Sequence, residues 1–335
     1  KRGAYDFIEK PFKTDRLLVL IERAIEATQL KRENQELRRK TGEAGELIGE
    51  SAPITAVRNT VEKVASTGSR AMISGPPGSG KELVARMIHM RSRRSEGPFI
   101  VLNAANMAPD RIEAELFGAE NGANGRNVGV FEQARGGTLF IDHVSDMPME
   151  TQAKILRVLV DQTFERIGGN TRVEVDVRVV SATNQDLAEL IAQGRFREDL
   201  YHRLAVVPVN VPPLVERRDD IPSLVRHAVE RLAAANGLPA RTIGEDAIAA
   251  MQAYDWPGNV RQLKNFVERM LILSPGNADH PIGADKLPAE LSASPAGRLN
   301  NDNGDEIMSK SLRQAREIFE REYLMAQIKR FGGNI

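Results

Sequence analysis

The stretch "GPPGSGKE", residues 75–82, sets two glycines with four residues between them and then Lys81, behind the apolar run "AMIS" and ahead of "LVARMIHMR". Those residue types at that spacing do phosphate chemistry. Glycines let the backbone turn its N–H groups onto phosphate oxygens, the following helix adds its N-terminal dipole, and the lysine reaches the terminal phosphates. Gly75, Pro76, Pro77, Gly78, Ser79, Gly80 and Lys81 therefore read as a cradle for ATP, against the alternative of a plain glycine-rich turn. The next residue is Glu82, so the serine or threonine hydroxyl that usually ligates Mg²⁺ there is absent. Further along, "GGTLFID" is an apolar run ending in Asp142, placed to hold Mg²⁺ directly or through water; the alternative is an acid capping a helix. His143 follows, where a second acid normally stands. "VVSATN" ends another run in Asn184, placed to touch a γ-phosphate or the attacking water.

Such groups need strands and helices to hold them. Five β-like runs, "RAMIS", "PFIVLN", "TLFID", "VRVVSAT" and "LAVVPVNV", are mostly separated by helix-period segments over residues 47–213. That alternation predicts an α/β fold with a parallel sheet covered on both faces. Residues 214–290 carry helix signals only and predict a small helical lid. Residues 291–305 are rich in Ser, Pro, Gly and Asn and read as a flexible linker, and 306–335 as one amphipathic helix. At the other end, residues 1–15 read as the tail of a domain whose body lies outside the chain. In 16–46, Leu17, Leu20, Ala24, Ala27, Leu30 and Leu37 form a stripe that includes Asn34. It suits a coiled-coil dimer whose buried asparagine sets register; the alternative is a single amphipathic helix on its own domain.

Bulk composition narrows the partners. Lys plus Arg and Asp plus Glu both total 46, so a nucleic acid would have to be met by a local patch rather than by overall basicity. The absence of cysteine excludes thiol catalysis, disulfides and thiolate metal sites, and five scattered histidines make no metal-binding pair. No apolar run approaches the length of a membrane span and no signal-peptide core opens the chain, so the expectation is a cytoplasmic protein with no membrane partner.

Taken together, "GPPGSGKE", "ELFG", "FEQARGGTLFID", "ILRVLVDQTFERIGG", "RVVSATNQDL", "GRFREDLYHRLAVVPVNVPPL" and "WPGNVRQLKN" resemble the AAA+ domain of bacterial enhancer-binding proteins, the sigma-54-dependent activators of the NtrC family. The blocks run in that family's order over residues 46–290, and Glu82 after the lysine is itself normal there. "KRGAYDFIEKPF" resembles the end of a response-regulator receiver domain, with Lys10 at its active-site lysine; residues 306–335 resemble the start of a Fis-type DNA-binding domain. The resemblance implies that Ile48 and Gly49 lie beside the adenine and that Asn103 senses the catalytic acid. It makes Asn184 and Arg261 the two nucleotide sensors, and Arg197 and Arg203 arginine fingers that reach a neighbouring subunit's γ-phosphate. It further implies Mg²⁺ on Asp142, ATP and ADP as ligands, and a ring, a hexamer built from dimers. DNA, a sensor histidine kinase and RNA polymerase are its implied partners.

Two departures bear on mechanism. The family's sigma-54-contacting loop reads GAFTGA within a helix after "ELFG", whereas this chain reads "ELFGAENGANGRNVGVFEQA", keeping Gly122-Ala123 but lacking the Phe-Thr pair. His143 stands where a glutamate positions the attacking water; an imidazole can accept a proton near neutral pH but has a different reach and no fixed charge. The leading expectation is a response regulator that uses nucleotide to assemble, with weak ATPase activity. The alternatives are a working sigma-54 activator ATPase and a nucleotide-independent dimeric DNA-binding scaffold.

Overall fold

The computed structural model describes residues 46–122, 125–236, 241–274, 281–287 and residue 321. The expected receiver tail with Lys10, the helical stripe from Leu17 to Leu37, the 291–305 linker and the Fis-type segment lie outside the described residues, Glu46 and residue 321 apart. Among the described residues no helix is long and apolar enough to cross a membrane.

The five expected strands form one parallel sheet. They are β1 (Ala71–Ser74), β2 (Phe99–Asn103), β5 (Thr138–Asp142), β8 (Arg178–Thr183) and β9 (Val207–Asn210), in the order β2-β5-β8-β1-β9. Covering both faces requires near-continuous apolar runs, and every residue of β8 is buried. Side chains alternate across the sheet with period two. Phe140 and Ile73 join Val61, Val84 and Ile88 on the face covered by α1 (Ala52–Thr67) and α2 (Lys81–Met90). Leu139, Ile141 and Met72 join Ile112, Leu116, Ile155 and Leu200 on the other. That second face is covered by α3 (Pro109–Phe117), α5 (Met149–Asp161) and α7 (Glu198–Leu204), with the short helices α4 (Val130–Gln133) and α6 (Leu187–Ala192) beside them. Helix α1 starts with a proline in its first turn and stops at Gly68, whose φ of 69° supplies the left-handed cap.

Register places the chemistry. Ser74 pairs with Thr183 and Asn210, and Asn103 pairs with Asp142, so the loops after β1, β2, β5 and β8 leave from one edge of the sheet. A ligand site outside the carboxyl ends of parallel strands is the expected outcome of this topology.

Beyond the sheet, a 3₁₀ stretch (Leu214–Asp220) leads into α8 (Ile221–Asn236), α9 (Glu245–Ala253) and α10 (Asn259–Leu273). They share a separate core of Leu214, Ile221, Val225, Leu263 and Phe266 around Trp256, whose indole N–H donates to the Met251 carbonyl at 2.7 Å.

Four short strands were not anticipated. β3 (Gly118–Gly122) pairs with β4 (Gly125–Val128), and β6 (Thr163–Glu165) with β7 (Arg172–Glu174), both antiparallel. The stretch read as the counterpart of the GAFTGA loop is therefore a hairpin; Ala123 and Asn124 at its turn lie outside the described residues. The base of the first hairpin is joined to the turn of the second. Glu120 N–H donates to the Ile167 carbonyl at 3.1 Å and Ile167 N–H to the Gly118 carbonyl at 3.0 Å. Buried Arg166 bonds Glu120 at 3.2 Å and Glu132 through two 2.8 Å contacts.

Candidate functional site

The phosphate loop spans the gap between β1 and α2. Gly75, Gly78 and Gly80 have φ of 151°, 75° and 108°, values that favour glycine. Lys81 is buried, and its ammonium donates to the carbonyls of Gly75 at 2.8 Å and Pro76 at 3.2 Å. Burial pushes the Lys81 pKa below its usual value; the Asp142 carboxylate opposes that shift and Arg261 adds to it. A half-desolvated cation between a carboxylate and a second cation is a site that gains from an arriving anion. The Ser79 hydroxyl, also buried, has no hydrogen-bond partner among the described residues. A phosphate chain fits these groups.

Asp142 ends β5 and accepts the His143 backbone N–H at 3.0 Å. His143 itself has φ 56° and ψ 43°, a left-handed conformation that costs a non-glycine residue and is typical of strained functional positions. Its ring lies between two carboxylates, with Nε2 3.9 Å from Asp142 and Nδ1 3.6 Å from Asp146. Asp146 is in turn held by the Gln185 amide at 2.7 Å, and Gln185 follows the exposed Asn184 at the end of β8. Asn103 ends β2 and uses its side chain to accept the Ala105 N–H at 3.1 Å. Among the described residues no group of three or more His, Asp or Glu side chains could hold a metal ion. Asp142 would be the residue to hold a Mg²⁺ that arrives with the phosphates, the usual manner for that ion. Glu82 points elsewhere, paired with Arg86 at 2.8 Å.

The two candidate fingers are engaged within the chain. Arg197 forms a two-point ion pair with Asp199, at 3.0 and 2.6 Å; the shared hydrogen bonds raise the arginine's pKa and hold the Asp199 carboxyl below its usual range. Arg203 donates to the Leu159 carbonyl at 3.1 Å, near the C-terminus of α5, and its buried Nε has no partner among the described residues.

The segment before α1 joins the sheet's core to the lid. Leu47 packs with the sheet while Ile48 packs against the lid core. Gly49 has φ 124°, and a Cβ there would collide with the Asp220 carboxylate, which accepts the Glu50 and Ser51 N–H groups at 2.8 and 2.9 Å. On the lid side, Arg261 lies over the loop: its N–H donates to the Gly78 carbonyl at 3.3 Å.

Two residues beside the loop escaped the sequence reading. Asn259 donates to the Pro77 carbonyl at 3.0 Å and accepts the Leu214 N–H at 2.7 Å. Arg217 donates to the Ser79 carbonyl at 2.9 Å. The available signal for Asn259 was its place in "GNVRQLKN"; nothing local marks Arg217, one of two adjacent arginines in "VERRDD".

Gly78 sits under this contact. A Cβ there would overlap the Gly258 carbonyl oxygen and lie 3.0 Å from the Arg261 Cβ. With the left-handed penalty of about 1–2 kcal/mol added, Gly78→Ala is expected to weaken ATP binding about tenfold. Titration calorimetry against the unchanged protein checks it.

Comparison with known proteins identifies both parts of this fold. Residues 47–210 match the sigma-54 interaction domain and 215–303 the AAA+ ATPase lid domain. The chain is 55% identical to the nitrogen assimilation regulatory protein NtrX of Azorhizobium caulinodans, over all of this chain and 74% of the relative. It is 42% identical to the DNA-binding transcriptional regulator NtrC of Rhizobium meliloti, over 96% of this chain and 66% of the relative. A crystal structure of NtrX from Brucella abortus in complex with ATP superposes with a TM-score of 0.83 at 55% identity, covering 99% of this chain and 73% of that one. The complex of the same protein with ADP gives 0.82 at 54% identity, covering 100% and 73%.

Proposed function

The chain belongs to the NtrC family of sigma-54 interaction domain response regulators, with NtrX among its relatives, and we propose that it uses ATP to assemble rather than to remodel sigma-54. The observation that carries this reading is a division within the site. The phosphate loop, Lys81 and Asp142 offer the residues that binding needs, while the position after Asp142 is His143 and the contact loop is a short hairpin. The ATP and ADP complexes of the Brucella NtrX support nucleotide binding here.

In this reading the N–H groups of Gly78, Ser79 and Gly80 and the Lys81 ammonium hold the phosphates, and Ile48 and Gly49 lie beside the adenine. Asp142 holds Mg²⁺, which neutralises charge on the phosphates. Asn184 and Arg261 contact the terminal phosphate and Asn103 the residue after Asp142. Arg197 and Arg203 leave Asp199 and the Leu159 carbonyl to reach a neighbouring subunit, so each site is completed only in a ring. Exposed pairs of the Arg197–Asp199 kind contribute little, so that release is cheap. A receiver tail over 1–15, a dimerising helix over 16–46, an AAA+ core over 47–213, a lid over 214–290, a linker over 291–305 and a Fis-type start over 306–335 would then connect a sensor kinase to DNA. RNA polymerase would be met through another sigma factor or through DNA occupancy.

Two measurements test it together. ATP is expected to drive higher-order assembly in sedimentation while turnover stays low at every protein concentration, and Arg203→Ala is expected to block assembly without loosening ATP on the protomer. A stable complex between sigma-54 and this domain, formed with a transition-state analogue of ATP, would favour the working activator instead.

A further inference from the structure

All five consecutive carbonyls of the phosphate loop, from Gly75 to Ser79, accept a hydrogen bond. Lys81 takes the first two, at 2.8 and 3.2 Å. The other three go to the lid and to the stretch that leads into it: Pro77 to the Asn259 side chain, Gly78 to the Arg261 N–H and Ser79 to the Arg217 guanidinium, at 3.0, 3.3 and 2.9 Å. Because a trans peptide unit is planar, holding a carbonyl on one side aims the next residue's N–H to the opposite side. The units pinned from the lid are those whose N–H groups belong to Gly78, Ser79 and Gly80. Pro76 and Pro77 have no N–H, so these three are all the backbone donors the loop has between Gly75 and Lys81. Ser79 N–H meanwhile makes only a long 3.3 Å turn contact with the Pro76 carbonyl.

Both side chains are built into place. Asn259 is buried, holds φ 51° and bonds the loop and the Leu214 N–H at once, so it ties the lid's last long helix, the entry to the lid and the phosphate loop together. Arg217 is 3% exposed and sits at a kink with φ −137° and ψ 46° inside the 3₁₀ stretch. Burial lowers its pKa, with Asp220 opposing the shift, and its Nε has no partner among the described residues. A guanidinium is expensive to bury for a single neutral acceptor unless the position of that acceptor matters.

We infer that Asn259 and Arg217 are positioning residues for phosphate binding, which set nucleotide affinity by aiming the loop's three N–H donors from the lid side. The inference rests on the reading of the loop as a nucleotide site. By reciprocity, nucleotide that firms the loop also firms the lid's attachment.

The test uses ADP, which binds without requiring turnover. Asn259→Gly keeps the left-handed backbone and removes the side-chain bonds; Arg217→Met removes the donor at similar length, and Arg217→Lys restores one. Calorimetry is expected to show ADP affinity falling about tenfold for Asn259→Gly and for Arg217→Met, with Arg217→Lys recovering most of the loss. Thermal unfolding without nucleotide reports any purely structural cost separately. Hydrogen exchange over residues 212–220 is expected to slow on ADP addition in the unchanged protein and not in Asn259→Gly. If the unchanged protein binds ADP and both deletions bind it within twofold, the inference is overturned. If the unchanged protein binds no ADP, the nucleotide reading beneath it falls.

Discussion

Replacing Lys81 by alanine is expected to lower ATP affinity by about 10–100-fold, the value of a hydrogen bond to a charged group in a partly buried site. Two effects act in the same direction. Lys81 is 7% exposed and burial already lowers its pKa, so no water-screened charge elsewhere replaces it. It also holds the Gly75 and Pro76 carbonyls, so its loss frees the first half of the loop. Lys81→Met controls for lost volume, since a methionine fills the space while removing both the charge and the donors. Both variants should keep the fold, because Lys81 starts α2 while Val84, Ala85 and Ile88 of that helix make the core contacts. Calorimetry with ATP, beside thermal unfolding of each apoprotein, decides the matter: equal affinities for Lys81→Ala and the unchanged chain would remove the phosphate site from this loop.

The larger effect is expected at position 143. Hydrolysis needs metal and charge at the phosphates, an aligned water and a group that takes its proton. The first requirements have candidates here in Asp142, Lys81, Arg197 and Arg203, whereas the position proposed for the water-handling group is His143. General-base help is typically worth about 10²–10⁴-fold, so His143→Glu is expected to raise turnover by on the order of 10²-fold with ATP affinity unchanged. The rise falls short of the full range because a glutamate would enter beside Asp142 and Asp146, which now lie 3.9 and 3.6 Å from the imidazole. Asp146 is already engaged by Gln185, which limits the repulsion. The comparison belongs at saturating ATP and at a protein concentration where assembly is complete. If the unchanged protein turns over briskly and the glutamate adds nothing, the imidazole does the work and the reading of an assembly device fails.

How legible this molecule is in its sequence depends on where the contacts lie. The sheet could be read because parallel strands buried on both faces need runs such as "TLFID" and "RVVSAT", which little else produces. The phosphate loop could be read because its glycines and lysine lie within seven residues of chain. The hairpins could not. "GAENG", "GRNV" and "RVE" are short, polar or glycine-rich, with no apolar alternation, and they hold by backbone pairing and by Arg166. Asn259 and Arg217 were hidden for a further reason: they meet the loop across 182 and 138 residues of sequence. Only the folded chain brings a lid asparagine to a proline carbonyl, and no local periodicity encodes that meeting.

The clasp between the two hairpins has a mechanical consequence. With Arg166 fastened to Glu120 and Glu132, and paired backbone linking Glu120 and Gly118 to Ile167, the turn of the second hairpin braces the base of the first. A pull on the tip of the first hairpin is resisted by the second as well, so load reaches the sheet through α5 and β6 as well as through α3. Extra residues inserted at the 123–124 turn would extend an arm from a braced shoulder without unhooking its base. The truncated arm can therefore vary in length while the shoulder that carries it stays the same.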